Sequence, residues 1–288
     1  RNICKYLEKQ GFEISYLPVD NHGIVDIEKL KQTITNRTIL ISIMYANGEI
    51  GTIQPIKEIS EIAHKHNAYL HVDGTAAVGK IPVAVEKENI DLLTISSNDM
   101  YGPKGMGAIY IKDGTRIVPI IYGGGQERGL RSGSENTPGI VGMGKAAEIS
   151  KVEMEKESKR LKILRDKLIS GVLNEIPDSY LNGHPTQRLP NNANMRFSFI
   201  EGESLLLSLD MEGVAVSSGS ACTSKTLEPS ATLLATGLKH EEAHGSLLFS
   251  LGKKIGREDI DHVLNVLPEI VKRLRAISPL TPKGLLKG

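Results

Sequence analysis

The chain has 288 residues, with 35 Lys and Arg against 34 Asp and Glu, and only two cysteines. A net charge of +1 gives no overall pull toward nucleic acid or an anionic membrane surface, so neither is expected as a partner. Cys4 and Cys222 lie far apart and match no metal-knuckle spacing, which excludes a disulfide framework and points to a reducing, cytoplasmic setting.

The length admits one large α/β domain, expected over residues 1–150, and a smaller α+β unit over 151–288. Arg1 opens the sequence without methionine, and Lys5 to Gly11 reads as the end of a helix already under way, so a truncated chain is expected. Phe12 to Val19 alternates as a strand, Asp26 to Ile34 has helical spacing, and Thr38 to Met44 is an apolar run typical of a strand buried on both faces. Pro55 starts a crossover helix with Ile56, Ile59, Ile62 and Ala63 on one face, leading into a strand over Ala68 to Val72. Leu92 to Ile95 and Ala108 to Ile111 add two more strands. This alternation predicts a mostly parallel sheet covered by helices.

Gly123 to Asn136 is a long irregular segment of the kind kept for function. Pro138 to Glu175 has helical periodicity and predicts a long linking helix. The smaller unit is then assembled from Arg196 to Ile200, Ser204 to Leu209, Ala215 to Ser217, Ser246 to Leu251 and Ile260 to Leu274.

Three stretches carry chemistry. After Leu92 to Ile95, the cluster Ser96-Ser97-Asn98-Asp99-Met100-Tyr101-Gly102-Pro103-Lys104-Gly105 breaks a strand at its carboxyl end, where open α/β sheets bind ligands. Asp73 ends the strand Tyr69-Leu70-His71-Val72-Asp73; taken alone, such an aspartate caps the following turn. Ser217-Ser218-Gly219-Ser220-Ala221-Cys222-Thr223-Ser224-Lys225 sets a cysteine among small polar residues, where it is exposed and where Lys225 favours the thiolate. Cys4, inside a helix, reads instead as a small core hydrophobe. His240 and His244 have the spacing of a metal pair on a helix, but nothing completes a known ligand pattern.

These stretches resemble the cysteine desulfurases of the NifS/IscS kind. Their pyridoxal-phosphate (PLP) segment reads Ser-Gly-His-Lys, an apolar residue, then Tyr-Gly-Pro-Lys-Gly. Aligned with it, Asn98 falls on the histidine and Asp99 on the lysine that forms the internal aldimine. A carboxylate cannot condense with an aldehyde. Asp73 matches the aspartate that pairs with the pyridinium nitrogen, and Ala76 stands where a glutamine contacts the ring hydroxyl. Ala46-Asn47-Gly48-Glu49-Ile50-Gly51 is similar to the family's Asn-Asn-Glu-x-Gly turn, with Gly48 in place of the second asparagine. The cysteine loop matches almost letter for letter. In His240 to Gly252, which matches the family's last motif, the arginine that clamps the substrate carboxylate is Leu248.

The resemblance implies a PLP fold type I architecture, the α/β fold of aspartate aminotransferase. It further implies a homodimer and non-covalent PLP held by Asp73, Ser96, Asn98, Asn47 and Ser134, the last reaching the phosphate across the dimer. With the lysine and the clamp both replaced, it implies a member relieved of cysteine turnover. Cys222 would then serve iron-sulfur cluster assembly, carrying a persulfide or ligating a transient cluster for an IscU-like scaffold protein, with L-cysteine or sulfide as sulfur source. Two alternatives stand beside it: an active desulfurase with an atypical base, and another fold type I aminotransferase or lyase.

Overall fold

The computed structural model describes residues 2–218 and 229–282. After α1 (Asn2–Lys9) and α2 (Ile27–Thr33), the chain forms β1 (Leu40–Met44), α3 (Ile56–Lys65), β2 (Tyr69–Asp73), β3 (Leu92–Ser96) and β4 (Gly107–Ile111). The strands lie in the order β1-β2-β3-β4, parallel except for β4, which runs antiparallel to β3. In register, Met44 pairs with Asp73 and Asp73 with Thr94, so the carboxyl ends of three parallel strands meet around Asp73.

Local chemistry explains these elements. Asp26 caps α2 by accepting from the Lys29 amide at 2.9 Å. α3 starts behind Pro55 and buries Ile56, Ile59 and Ala63 at helical spacing, in one cluster with Ile41, Leu70 and Val72. That covers one face of the sheet. On the other, Leu40, Met44, Tyr69 and Ile109 are exposed, so β1 is buried on one face and not on both as its apolar run implied. The segment Phe12 to Val19 is no strand either. It makes one isolated bridge, Val19 to Val25, because no neighbouring strand among the described residues pairs with it.

α4 (Thr137–Glu175) is a continuous 39-residue helix that passes through the expected boundary at residue 150. Beyond it, β5 (Ser179–Asn182), β6 (Asn192–Phe197) and β7 (Ser246–Ser250) form a second, antiparallel sheet. α5 (Gly202–Met211), α6 (Ala231–Ala235), α7 (His240–His244) and α8 (Arg257–Ile277) complete the chain. Leu168 and Val172 of α4, Leu205 and Leu209 of α5 and Val263 and Leu267 of α8 pack with Met195, Phe197, Leu247 and Phe249. The strand expected from Arg196 onward lies earlier, because Asn192 and Asn194 are buried polar residues that an apolar pattern hides. Ala215 to Ser217 contributes one bridge, Ser217 to Leu248, rather than a strand. α1 buries no residue and Cys4 is half-buried, which corrects its reading as a core hydrophobe.

The two sheets meet at a polar seam. Arg188, 4% exposed, donates to the carbonyls of Ile50 at 3.2 Å, Asn182 at 3.2 Å and Asn192 at 3.1 Å, and to the Asn192 side chain at 2.9 Å. Burial pushes its guanidinium down to about 10, with Arg165 adding repulsion. Asn192 passes the contact on, donating to the carbonyls of Gly48 at 2.9 Å and Glu49 at 3.0 Å. Replacing Arg188 by Met strands these buried acceptors. Arg188→Met is therefore expected to destabilise the fold by about 3 kcal/mol, read from urea unfolding midpoints. A loss under about 1 kcal/mol would mean that the seam does not depend on this cation.

Candidate active site at the strand carboxyl ends

Asp73 projects at the end of β2. Its Oδ1 accepts from the Thr75 amide at 3.0 Å and the Thr75 hydroxyl at 2.7 Å, so one oxygen does cap the next turn. The other makes no hydrogen bond among the described residues. Two positions earlier on the same face, His71 Nδ1 lies 2.8 Å from the Ser42 hydroxyl. Burial lowers the His71 pKa and the Asp73 charge offsets only part of this, so the ring is neutral beside the carboxylate.

At the end of β3, Ser96 is partly buried and the chain enters a 3-10 turn, Asn98–Met100. Met100 anchors the turn in a cluster with Met143 and Ala146 of α4. Tyr101 ends it in the left-handed conformation, φ 62°. Asn98 is exposed on this turn. Asp99, 33% exposed, accepts from Lys80 Nζ at 3.3 Å, a side chain only 18% exposed. Lys80 carried no role in the sequence reading; its signal was a cation seven residues after Asp73, able to answer a carboxylate that replaces a lysine.

The remaining altered positions, scattered in sequence, gather along one wall. A Cβ on Gly48 would lie 3.7 Å from the Ala76 Cβ, so the two positions that lose a polar side chain are direct neighbours. Leu248 is the register partner of Asn194, whose amide donates to the Glu49 carbonyl at 3.1 Å. Leu248 also exchanges two backbone hydrogen bonds with Ser217, at 2.7 and 3.2 Å, and so fixes the segment that precedes the cysteine loop in sequence. Cys222 itself lies outside the described residues. Asn47 turns its Oδ1 into its own turn, accepting from the Glu49 and Ile50 amides at 2.9 Å. Ser134 is exposed in the irregular segment ahead of α4. His240 and His244 are exposed on α7, and no cluster of three metal-ligating side chains exists among the described residues. No helix among them is long and apolar enough to cross a membrane.

The aminotransferase class-V family matches residues 2–263. Cysteine desulfurase IscS 1 of Archaeoglobus fulgidus is 61% identical over 279 residues, which span 97% of this chain and 72% of that protein. IscS of Methanosarcina thermophila is 56% identical over 282 residues, 98% of this chain and 70% of the relative. The chain belongs to the NifS/IscS-like members of the aminotransferase class-V family. Among solved structures, a NifS-like protein superposes with a TM-score of 0.86 at 38% identity, covering 94% of this chain and 71% of the other. The α/β fold with a mixed, mostly parallel sheet is therefore that of PLP fold type I enzymes.

The family implies PLP, and the donor set fits it in part. Asp73 retains a free carboxylate oxygen for a ring nitrogen, and the Ser96 hydroxyl makes no bond among the described residues. The Gly48 and Ala76 wall offers the ring no side-chain donor. Glu49, beside that wall, is the site residue that sequence reasoning missed. Its Oε1 is buried without a hydrogen-bond partner among the described residues. Burial pushes its carboxyl above the ordinary 4.5, and the hydroxyls of Ser230 and Thr232, at the helix start behind the cysteine loop, oppose only part of this. A raised folded-state pKa means that the stabilising protonated form is present below the ordinary value and lost as pH rises above it. Glu49→Gln should then match the parent stability at about pH 4 and exceed it at about pH 8, measured by thermal unfolding across that range. A constant difference at all pH values would show that the buried carboxyl does not titrate against folding.

Proposed function

We propose that this protein works in iron-sulfur cluster assembly as a cysteine desulfurase-type protein whose working group is Cys222, carried as a persulfide or as a thiolate ligand of a transient cluster for an IscU-like scaffold protein. The observation that carries this reading is Asp99 held by Lys80 at the place of the family's lysine, in a chain that keeps the cysteine-loop sequence intact. Relatives at 54–61% identity are named cysteine desulfurases.

When bound, PLP supplies an electron sink for bonds at an amino-acid carbon. Asp73 would hold the ring nitrogen with its free oxygen, and Ser96 would hold the phosphate together with Ser134 across a homodimer interface. Asn98 and Asn47 border the ring. Leu248 excludes water and offers no charge, so an amino-acid carboxylate arriving there stays unpaired where an arginine would clamp it in a bidentate pair. Turnover of L-cysteine is weak for that reason: a persulfide on Cys222 would take its sulfur from L-cysteine held poorly, and sulfide would serve only the thiolate-ligand role, where it enters a cluster with no change of oxidation state at Cys222. The large PLP-binding unit and the small unit bearing the cysteine loop share α4, and the protein acts in the cytoplasm. The Lys80 amine beside Asp99 favours one second reading, an active desulfurase with an atypical base.

The two separate in one comparison. The purified protein with PLP and L-cysteine is assayed for alanine, and cluster formation on a scaffold protein is followed in parallel with Cys222→Ser. Background alanine with cluster formation lost in Cys222→Ser is expected. Robust, Cys222-dependent alanine would establish the second reading. Cluster formation untouched by Cys222→Ser would remove the thiol from the function.

A further inference from the structure

The 3-10 turn Asn98–Met100 and the turn after β7 follow strands of different sheets, and both are fastened to α4. Met100 holds the first to Met143 and Ala146. Arg160 holds the second, donating to the carbonyls of Ile255 at 2.5 Å and of Gly252 and Lys253 at 3.2 Å. The same guanidinium donates to Glu157 at 2.7 and 2.9 Å, and Glu153 pairs with the Lys253 ammonium at 2.6 Å. Tyr101 crosses from the first turn to the second. Its hydroxyl accepts from the Lys253 amide at 3.2 Å, the Lys253 ammonium lies 5.2 Å over its ring, and a Cβ on Gly252 would stand 3.4 Å from its oxygen. The Tyr101 backbone is left-handed at φ 62°, a conformation that a bulky residue keeps where its surroundings hold it. The residue is 58% exposed, so burial supplies little of that hold and the contacts to the second turn must supply it. Between the turns, a cavity of about 20 Å³ lined by Gly79, Tyr101, Ser150, Asn191 and Lys253 has room for about one water, so they are coupled at short range.

We propose that Tyr101 is a positioning residue that couples the two sheets at the candidate site. It sets the turn after β7, and with it the strand that carries Leu248 and bridges to Ser217, against the turn that carries Asp99. A displacement of either turn is passed to the other through the phenol, so the placement of the second sheet follows the occupancy of the strand carboxyl ends. Its meaning for function rests on the reading of this edge as a PLP site, whereas the coupling itself is a property of the cofactor-free chain.

Hydrogen exchange followed by peptide mass spectrometry tests this. Tyr101→Phe keeps the ring under Lys253 and loses the acceptor. Exchange over residues 252–255 is expected to quicken about fivefold, the ordinary worth of one hydrogen bond, with the urea midpoint unchanged because Tyr101 is exposed. Arg160→Met loosens the second turn from α4. Exchange over residues 98–102 should then quicken with Tyr101 in place, and Arg160→Met should add nothing there in the presence of Tyr101→Phe. Unchanged exchange over 252–255 in Tyr101→Phe, or a response at 98–102 to Arg160→Met that is absent with Tyr101 or persists without it, overturns the proposal. Added PLP separates this reading from that of the site: slower exchange over both segments in the parent, and over 98–102 alone in Tyr101→Phe, is expected. No protection by PLP in the parent overturns the PLP reading and leaves the cofactor-free comparison to decide the coupling. Protection of both segments in Tyr101→Phe overturns the coupling and leaves the PLP site standing.

Discussion

The turn from Asn47 to Gly51 depends on a clasp of buried amides and one buried cation, and much of the molecule depends on that turn. Asn192, Asn194 and Arg188 donate to its carbonyls from the second sheet. Gly51 leaves the room: its φ is 80°, and a Cβ would come within 2.6 Å of the Asn192 side-chain oxygen. Hydrogen bonds of this kind are directional and desolvated, so they fix the relative placement of two sheets in a way that apolar contact does not. The Gly48 and Ala76 wall, Glu49, and the strand that presents Leu248 all take their positions from it.

Within that frame, the departures from the desulfurase pattern are chemically coordinated. A lysine replaced by aspartate would leave an unanswered anion near the end of a parallel sheet; Lys80 answers it at 3.3 Å. Gly48 and Ala76, where the pattern has two amide side chains, are neighbours, so the polar contacts are lost from one wall rather than from several. Leu248 keeps its backbone pairing with Ser217 while giving up a charge. Each of these positions departs from the family motif in the functional group it presents, within a fold that superposes on a NifS-like protein with a TM-score of 0.86.

The elements most legible in the sequence were those whose burial follows a simple period. α3 shows its apolar face at Ile56, Ile59 and Ala63, and α2 announces itself by the Asp26 cap. The candidate positions Asp73, Ser96 and Asp99 were legible through motif order, since strand ends and turn residues mark the ligand edge of a parallel sheet. What stayed hidden has a common cause. Asn192 and Asn194 are buried because they bond to a turn more than 140 residues away, a partnership that no local window contains. β1 looked two-sided because apolar content reports what a face could cover, and nothing among the described residues packs on Leu40 and Met44 as α3 packs on the opposite side. Lys80 and Glu49 were read as parts of motifs; only tertiary distance and burial separate them from their neighbours.

Holding a cofactor and clamping a substrate are separate tasks. Orientation of an amino-acid substrate needs a second fixed point, and a leucine beside the cysteine loop provides none. Binding energy that is not realised at the reacting centre does not accelerate it. The motif around Cys222 is kept in the sequence, and the bridge between Ser217 and Leu248 ties the chain that precedes it to the same strand that carries the leucine.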